Sequence, residues 1–322
     1  KVQGYLPSKF YIINNEDKEI EFKYKDYEEE FTKILNDIRE IVKGNRYPSP
    51  TQGSVKWPWE SYALKLCLKT KDVSLITGLG ESKKNKLKEI GIRSLSQLAN
   101  VNINKKVNGF TKESLKRLKL EANCILKKKH KFIAKVNLPK HKIELFLDFE
   151  SSTALNIEEF VGNIDYLIGV LKRENKKEVY IPFIANSLED EEKMLHNFLD
   201  FLVEQKDFVI YHYGGYEITR FKELFSKYDT DKDLQNLVFK NMIDILKLVK
   251  KSVVLPVYSY SLKKVAPYLK FNWRLKDVDA GESIALYMEY IKSNDKKILN
   301  KILTYNEDDV IATRVVKDFL SK

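Results

Sequence analysis

The pattern of apolar and polar residues divides the chain near residue 140. Before that point, apolar positions recur at helical spacing, most clearly from Asp26 to Val42, and Gly44 is placed to end that helix. After it, short apolar runs typical of strands alternate with amphipathic helical segments. The predicted strands are 143–149, 166–170, 179–183, 208–211 and 242–246, and the predicted helices are 189–203, 216–228 and 306–320. The order β-β-β-α-β-α-β-α predicts an α/β fold, a mixed sheet flanked by helices whose first three strands are antiparallel.

A small, mainly helical region with glycine-containing turns precedes this sheet. Between residues 73 and 100, Gly78 and Gly80 lead into one short helix, and Ser94 is placed to cap the next. The pattern resembles a helix-hairpin-helix module, in which hairpin glycines let backbone N–H groups approach phosphates. That resemblance makes Gly78, Gly80 and Lys83 candidates for nucleic-acid contact. A purely structural helical hairpin is the alternative.

The positive charge of the chain is concentrated in one segment. Residues 105–142 hold thirteen Lys and Arg against two Asp and Glu, a local net charge of +11 that equals the charge of the whole chain. Such a basic stretch favours a nucleic-acid contact surface, with Lys127, Lys128 and Lys129 as its densest part. The alternative is a solvated helix face in a lysine-rich sequence. A helix to about Lys129 and a strand-like stretch from Phe132 are predicted within this segment.

Composition excludes several classes of protein. With 322 residues, 43% of them hydrophobic, the chain can build a core and two or three domains. No apolar run approaches the roughly 18 residues of a membrane span, and no signal peptide opens the sequence, so no membrane partner is expected. Two cysteines, Cys67 and Cys124, exclude a disulfide scaffold and indicate a reducing, cytoplasmic compartment. The sequence has no initiator Met, which suggests a piece of a longer protein.

Four acidic residues in three separate segments carry the candidate chemistry. Asp148 and Glu150 lie two apart at the end of an apolar run, so both should point to one face while Phe149 enters the core. Glu217 follows the strand 208–211, and Asp309 lies in the last helix. Carboxylates on one face repel each other unless cations lie between them, and oxygen-only ligands select Mg²⁺ or Mn²⁺ over Zn²⁺. Two such ions can clamp the attacking and leaving oxygens of a phosphodiester.

Three motifs in this order resemble those of the DEDD exonucleases, the DnaQ-like branch of the RNase H-like superfamily. The first runs from Leu147 to Glu150, the second from His212 to Glu217, and the third, 305–309, is similar to that of the tyrosine subgroup. The resemblance covers about 180 residues and implies an RNase H-like mixed sheet with 3′→5′ exonuclease activity. Glu217 stands where most members have Asp.

Nearly the whole chain also resembles the YprB-type RNase H-like domain found C-terminal in RecB-like nucleases. This implies a RecB-like tail over 1–68, a basic helix-hairpin-helix-like linker over 69–138 and the DEDD domain over 139–322. Such tails usually carry cysteines for an iron–sulfur centre, but Ser54 and Trp57 stand at matching positions, so no iron–sulfur cluster is expected. The motif residues of the RecB-like core are absent, which implies a missing N-terminal nuclease domain or a protein partner.

The resemblance also implies the role of each acidic residue. Asp148 should bridge two metal ions, and Glu150 and Asp309 should complete one of the two sites. Glu217 should hold the other ion directly or through water. Tyr305 lies one helical turn before Asp309, so its hydroxyl should position, and could deprotonate, the attacking water. Ordinary core packing is the alternative for Tyr305.

Four further residues near the motifs have predicted placements. His212 is a candidate for nucleic-acid contact, with a structural histidine at a strand end as its alternative. Lys263 could approach a phosphate or lie on a helix surface. Glu307 and Asp308 should face solvent.

A metal-dependent nuclease with two Mg²⁺ or Mn²⁺ ions is the leading hypothesis for function. It would hydrolyse DNA or RNA, as a 3′→5′ exonuclease acting on a single-stranded 3′ end. One alternative is a catalytically weak or inactive nucleic-acid-binding module, and another is a structural domain of a larger repair, defence or mobile-element nuclease. The intact acidic set argues against lost catalysis, because clustered carboxylates without metal are electrostatically costly.

Overall fold

The computed structural model describes residues 7–14, 17–46, 49–53, 55, 58–104, 107–157 and 160–321. The expectation of no iron–sulfur cluster rests on Ser54 and Trp57, which lie outside these residues. The chain divides into two compact units, Lys1–Cys67 and Leu68–Lys322.

The first unit contains a two-stranded hairpin and a long amphipathic helix. Strands β1 (Lys9–Ile13) and β2 (Glu19–Lys23) are antiparallel, and α1 (Tyr24–Val42) follows directly. The predicted helix 26–42 is therefore confirmed, with two further residues at its start. Helix α2 (Glu60–Thr70) then leads into the second unit.

The second unit begins with short helices around the predicted glycine turns. They are α3 (Glu81–Glu89), α4 (Leu95–Ala99) and α5 (Lys112–Lys127). Ser94 caps α4 as predicted, because its side chain accepts from the Gln97 N–H while the Gln97 side chain accepts from the Ser94 N–H, an arrangement that satisfies two free donors. The ammonium of Lys84 is buried and lies 2.9 Å from a carboxylate oxygen of Asp72.

A five-stranded mixed sheet forms the centre of the unit, in the order β6-β5-β4-β7-β8. Its strands are β4 (Ile143–Ile157), β5 (Phe160–Glu174), β6 (Lys177–Ile184), β7 (Phe208–His212) and β8 (Met242–Asp244). The first three are antiparallel, as predicted, while β7 pairs parallel with β4 and β8 parallel with β7. Asn175 and Lys176, both with positive φ, form the two-residue turn between β5 and β6.

Seven helices of the described residues pack around this sheet. They are α6 (Glu191–Val203), α7 (Tyr216–Lys227), α8 (Lys232–Asn241), α9 (Ile245–Ser252), α10 (Leu262–Tyr268), α11 (Ala280–Ser293) and α12 (Lys296–Leu320). Helix α12 begins ten residues before the predicted start at Asn306. The described residues contain no helix with the length and apolar character needed to cross a membrane.

The alternation of side chains along β4 supplies two cores. Leu145, Leu147 and Phe149 face one side and pack with residues of α6 and α7, including Phe198 and Phe221. Phe146 faces the other side, where it joins Tyr211 and residues of α9, α10 and α12. Burial on both faces explains why β4 reads as a nearly continuous apolar run.

Helix α5, which lies in the basic segment 105–142, is connected to the sheet region through a short strand pair. Strand β3 (Lys131–Phe132) pairs antiparallel with β9 (Val253–Val254). Beside it, the ring of His130 lies 2.8 Å from the Tyr268 hydroxyl, measured from Nδ1. The His130 ring also contacts Phe319 of α12 edge-on, with the ring centroids 5.0 Å apart.

Candidate active site

Asp148 and Glu150 lie in the part of β4 that no longer pairs with β7. The parallel pairing between β4 and β7 ends at Phe146 and Tyr211, two residues before Asp148. On the other side β5 continues, with Gly169 opposite Asp148. The two carboxylates share one face, as predicted, and Phe149 packs on the opposite face against Phe221, with ring centroids 4.8 Å apart.

Helix α12 brings the third carboxylate to this face. One carboxylate oxygen from each of Asp148, Glu150 and Asp309 lies within 4.8 Å of the others. Glu150 and Asp309 are buried, and Asp148 is partly buried. A strand and a helix that are far apart in the sequence therefore form a single acidic cluster.

Burial raises the pKa values of all three carboxyls, and repulsion within the cluster raises those of Asp148 and Glu150 further. For Asp148, burial raises the pKa most, followed by the charges of Asp309, Glu150 and Glu217. Burial and the charge of Asp309 raise the pKa of Glu150 to about 8. Burial also raises the pKa of Asp309, although Lys263 and Trp273 oppose the rise. The cluster is electrostatically unfavourable without a cation.

The donor set fits a hard divalent cation. Its ligand atoms are carboxylate oxygens, which suit Mg²⁺ and Mn²⁺, and their charge is only partly compensated by the surrounding protein. Asp148, Glu150 and Asp309 are the residues that would hold an ion here.

Asp309 has two internal partners. The Lys263 ammonium lies 2.9 Å from its Oδ1, and the indole N–H of Trp273 donates to the same oxygen at 2.8 Å. The ammonium also lies 4.2 Å from the ring centroids of Trp273 and Tyr305, within cation–π range. Lys263 thus borders the acidic cluster from α10, with its side chain 42% exposed.

Tyr305 lies on the same face of α12 as Asp309. It is buried, and burial together with the charges of Asp309 and Glu150 raises its pKa well above the ordinary value. Its phenol is therefore protonated at neutral pH. A protonated hydroxyl next to the carboxylates can donate and accept hydrogen bonds, so it can orient a water molecule.

Glu217 and His212 form a separate buried pair. Glu217 is not one of the three clustered carboxylates, although its charge contributes to the raised pKa of Asp148. Its Oε2 lies 3.4 Å from Nδ1 of His212. Within the described part of the chain, this oxygen and both ring nitrogens of His212 are buried without a hydrogen-bond partner. These buried atoms therefore keep hydrogen-bonding capacity that the described side chains do not use.

Helix α7 carries Glu217 in its first turn and is anchored by a buried ion pair. Arg220, one turn later, makes two hydrogen bonds of 2.7 Å to the two oxygens of Asp165 on β5. The loop before α7 is fixed by Gly214, whose N–H donates to Asp244 at 3.1 Å. The φ of Gly214 is +115°, a conformation that a side chain would strain.

Two residues within the third motif have a placement that was not predicted from the sequence. The prediction that Asp308 faces solvent is wrong: it is buried, and Oδ1 accepts from the Nε–H of Arg274 at 2.8 Å. That partner lies 34 residues earlier, so no local pattern announces it. Asn306 is absent from the sequence-based candidates, yet its Nδ2 lies 3.1 Å from Asp148 and 3.4 Å from Glu150. An amide next to Tyr305 on the buried helix face is the signal that could have identified it.

The candidate nucleic-acid residues lie in several places. Lys127, Lys128 and Lys129 are exposed at the end of α5, beside a groove of about 870 Å³. Six of the residues that line that groove are basic: Lys116, Arg117, Lys119, Lys127, Lys129 and Lys131. Gly78 and Gly80 lie in the turn before α3, and Lys83 is exposed in its first turn. His212, in contrast, is fully buried.

Comparison with known proteins places the sheet region in a family. A family model described as RNase_H superfamily matches residues 145–321, more than half of the chain. A solved structure entitled "3'-end specific recognition of histone mRNA stem-loop by 3'-exonuclease" is 14% identical, covering 74% of this chain and 86% of that chain, with a TM-score of 0.34, which supports no conclusion. A search of curated proteins gives no match. From the family match, the chain belongs to the RNase H superfamily.

Proposed function

We propose that the chain is a two-metal nuclease, a 3′→5′ exonuclease of the DEDD type with a tyrosine in its third motif. Membership of the RNase H superfamily supports a nuclease that uses divalent metal and acts on nucleic acid. The observation that carries the finer proposal is the cluster of Asp148, Glu150 and Asp309, whose oxygens lie within 4.8 Å of one another. No pairing among the described residues neutralises all three.

Each residue of the site has a defined part in this proposal. Asp148, Glu150 and Asp309 would hold one cation, and Glu217, whose buried Oε2 makes no hydrogen bond to the described residues, would hold a second ion directly or through water. Bound Mg²⁺ or Mn²⁺ would supply Lewis-acid stabilisation of the charge that develops on the phosphodiester oxygens. Tyr305, one helical turn before Asp309 on the same face of α12, would orient the attacking water through its hydroxyl.

The basic helix provides the proposed nucleic-acid surface. The groove on α5 places six cationic side chains around apolar side-chain stems, which suits a phosphate backbone with bases against its floor. We further propose that residues 1–68 are a RecB-like tail, 69–138 a helix-hairpin-helix-like linker of the YprB type, and 139–322 the exonuclease domain.

An inactive binding module is the second candidate. The observation that favours it is the double hydrogen bonding of Asp309 by Lys263 and Trp273, which partly compensates one carboxylate without metal. Glu150 and Asp148 have no such cationic partner within hydrogen-bond distance among the described residues. A cleavage assay distinguishes the two candidates, because only the nuclease shortens its substrate.

A cleavage assay tests the proposal. Single-stranded DNA and RNA, labelled at the 5′ end, are incubated with Mg²⁺, Mn²⁺ or EDTA and with wild type or Asp148→Asn. We expect stepwise shortening from the 3′ end that EDTA stops, and a loss of at least about 10²-fold in Asp148→Asn, in the range that removal of a charge-stabilising group costs an enzyme. Glu307→Gln, two positions from Asp309 but outside the cluster, is the matched control and should keep its activity.

Different outcomes would overturn different parts of the proposal. Equal cleavage by wild type and Asp148→Asn would exclude this site as the catalytic centre. Binding without cleavage by the wild type would establish the inactive module. Internal cleavage of a circular strand would contradict the exonuclease assignment while leaving the nuclease intact.

A further inference from the structure

Asn306 lies among the residues of the candidate active site, but the proposed function gives it no role. The residue lies between Tyr305 and the candidate metal ligand Asp309 on α12, and it is fully buried. A buried amide is costly unless its donors and acceptor are all satisfied. The partners of this amide are therefore informative.

The amide is satisfied on both ends by residues of the sheet. Its Oδ1 accepts from the Tyr180 hydroxyl of β6 at 2.9 Å. Its Nδ2 faces Asp148 Oδ2 at 3.1 Å and Glu150 Oε1 at 3.4 Å. Amide and carboxylates thus form one chain of hydrogen bonds that runs from the edge strand to the acidic cluster.

The chemistry of the partners fixes the orientation of the amide. Carboxylates that bind a cation are ionised and only accept, so in that state Oδ1 cannot face them without repulsion, whereas the NH₂ group has one hydrogen for each. The Tyr180 hydroxyl must then donate to Oδ1. Burial and nearby carboxylates raise the pKa of Tyr180, which keeps its hydroxyl proton in place at neutral pH.

The sheet leaves room for this amide by means of a glycine. Gly169 lies directly opposite Asp148 in the β4–β5 pairing. A Cβ at this position would lie 1.5 Å from Asn306 Oδ1 and 3.1 Å from the Tyr180 hydroxyl. No side chain fits there, so the glycine in the middle of β5 marks the space that the amide fills.

We propose that Asn306, held by Tyr180 in the space above Gly169, is a positioning residue that orients the carboxylates of Asp148 and Glu150 for cation binding. Because the amide is neutral, it fixes two carboxylates without cancelling the charge that attracts the cation. A lysine at this position would fix them and also compete with the cation. The inference rests on the proposed metal-dependent function.

The test measures Mn²⁺ affinity directly, from the EPR signal of free Mn²⁺, on variants whose folding is verified by circular dichroism. Asn306→Ala should weaken Mn²⁺ binding roughly 10–100-fold, the effect typical of losing a residue that orients metal ligands. Asn300→Ala, at an exposed position of the same helix, is the matched control and should bind as wild type does.

A second variant separates positioning from packing. Tyr180→Phe keeps the ring and removes only the hydroxyl, so it should also weaken Mn²⁺ binding, by a smaller factor. Because Tyr180 acts through Asn306, the double variant should bind no more weakly than Asn306→Ala alone. Independent packing effects would instead multiply the two losses, which would overturn the proposal.

The outcomes also separate this inference from the proposed function. If wild type binds Mn²⁺ and Asp148→Asn does not, but Asn306→Ala and Tyr180→Phe bind as wild type, the positioning role is excluded while the metal site stands. If wild type itself binds no Mn²⁺, the metal site and the positioning role are both excluded. If Asn306→Ala fails to fold, Tyr180→Phe alone decides, and unchanged affinity in that variant contradicts the role of the hydroxyl.

Discussion

The carboxyl group of Glu150 shows how opposing local effects set the state of the site. Burial and the charge of Asp309 raise its pKa to about 8, and hydrogen bonds from Asn306 and Ser283 limit the rise. At neutral pH and without metal, this carboxyl therefore carries a proton much of the time. A cation must displace that proton to bind, so metal affinity and pH are linked.

The linkage predicts how metal-free stability changes with pH. Because the pKa in the folded protein lies above the ordinary value of 4.5, the contribution of Glu150 to stability is fully present below 4.5 and is lost as pH rises through about 8. We expect the thermal midpoint without metal to fall between pH 6 and pH 8.5, and Mn²⁺ to raise it more at pH 8.5. In a domain of this size, a change of 1 kcal/mol in the free energy of unfolding shifts the thermal midpoint by about 2–4 °C.

Thermal denaturation with and without Mn²⁺ at the two pH values checks this prediction. Glu150→Gln cannot ionise, so its metal-free midpoint should fall less with pH than that of the wild type. The same slope for both proteins would show that Glu150 does not titrate in this range.

At the scale of elements, helix α7 depends on a buried charge pair for its anchorage to β5. Asp165 is fully buried and Arg220 nearly so, and two parallel hydrogen bonds join them, while the remaining Nη1 of Arg220 pairs with Glu223. Glu217 lies three residues before Arg220 on the same helix. The position of this candidate metal ligand is therefore set partly by an ion pair that lies outside the acidic cluster.

Breaking that pair should be costly in a specific way. Asp165→Asn removes the buried counter-ion of Arg220 and leaves only Glu223 at its exposed end, so we expect a loss of about 3 kcal/mol in the free energy of unfolding, the lower end of the range for a broken buried pair. Replacing both residues, as in Asp165→Leu with Arg220→Met, should restore much of that loss. Urea denaturation measures both, and Glu223→Gln, at the exposed end of Arg220, is the control. A double variant less stable than Asp165→Asn would contradict the argument.

The elements also show where sequence reasoning succeeds and where it stops. The same-face placement of Asp148 and Glu150 follows from strand periodicity, and the order of the strands follows from the apolar runs. The true length of β4 does not, because the polar residues 151–153 interrupt its apolar pattern. The burial of Asp308 depends on a distant arginine, and the role of Gly169 depends on which residue lies across the sheet. Such facts depend on tertiary contacts and leave no periodic signal.

At the scale of the whole molecule, charge and chemistry lie in different parts of the sequence. The excess positive charge belongs to residues 105–142, while the remainder, which includes the acidic cluster, is neutral overall. A basic surface and an acidic metal-binding cluster in the same compact unit suit a polyanionic substrate. The basic surface would attract its phosphates, and under the proposed function cleavage would take place at the acidic cluster. Strand β3 and the contacts of His130 connect α5 to the sheet region.

This separation predicts that binding and cleavage can be changed independently. Substituting Lys127, Lys128 and Lys129 by Gln should reduce the slope of log K against log salt for single-stranded nucleic acid, by about 0.7 for each phosphate that is no longer neutralised. Cleavage at saturating substrate should change little. Lys292, Lys296 and Lys297, three exposed lysines elsewhere, form the control set. An unchanged slope would mean that the basic segment is only solvated.

The wide separation of the site residues along the sequence has a consequence for how the protein folds. The hydrogen bond between Asn306 and Asp148 closes a loop of 158 residues, and because closing a long loop costs entropy before its contacts form, we expect this contact to form late in folding. Until α12 packs against β4, Asp148 and Glu150 lack the third carboxylate, Asp309, and should bind metal only weakly. Under the proposed function, we therefore expect nuclease activity to appear only once α12 has packed against β4 and brought Asp309 to Asp148 and Glu150.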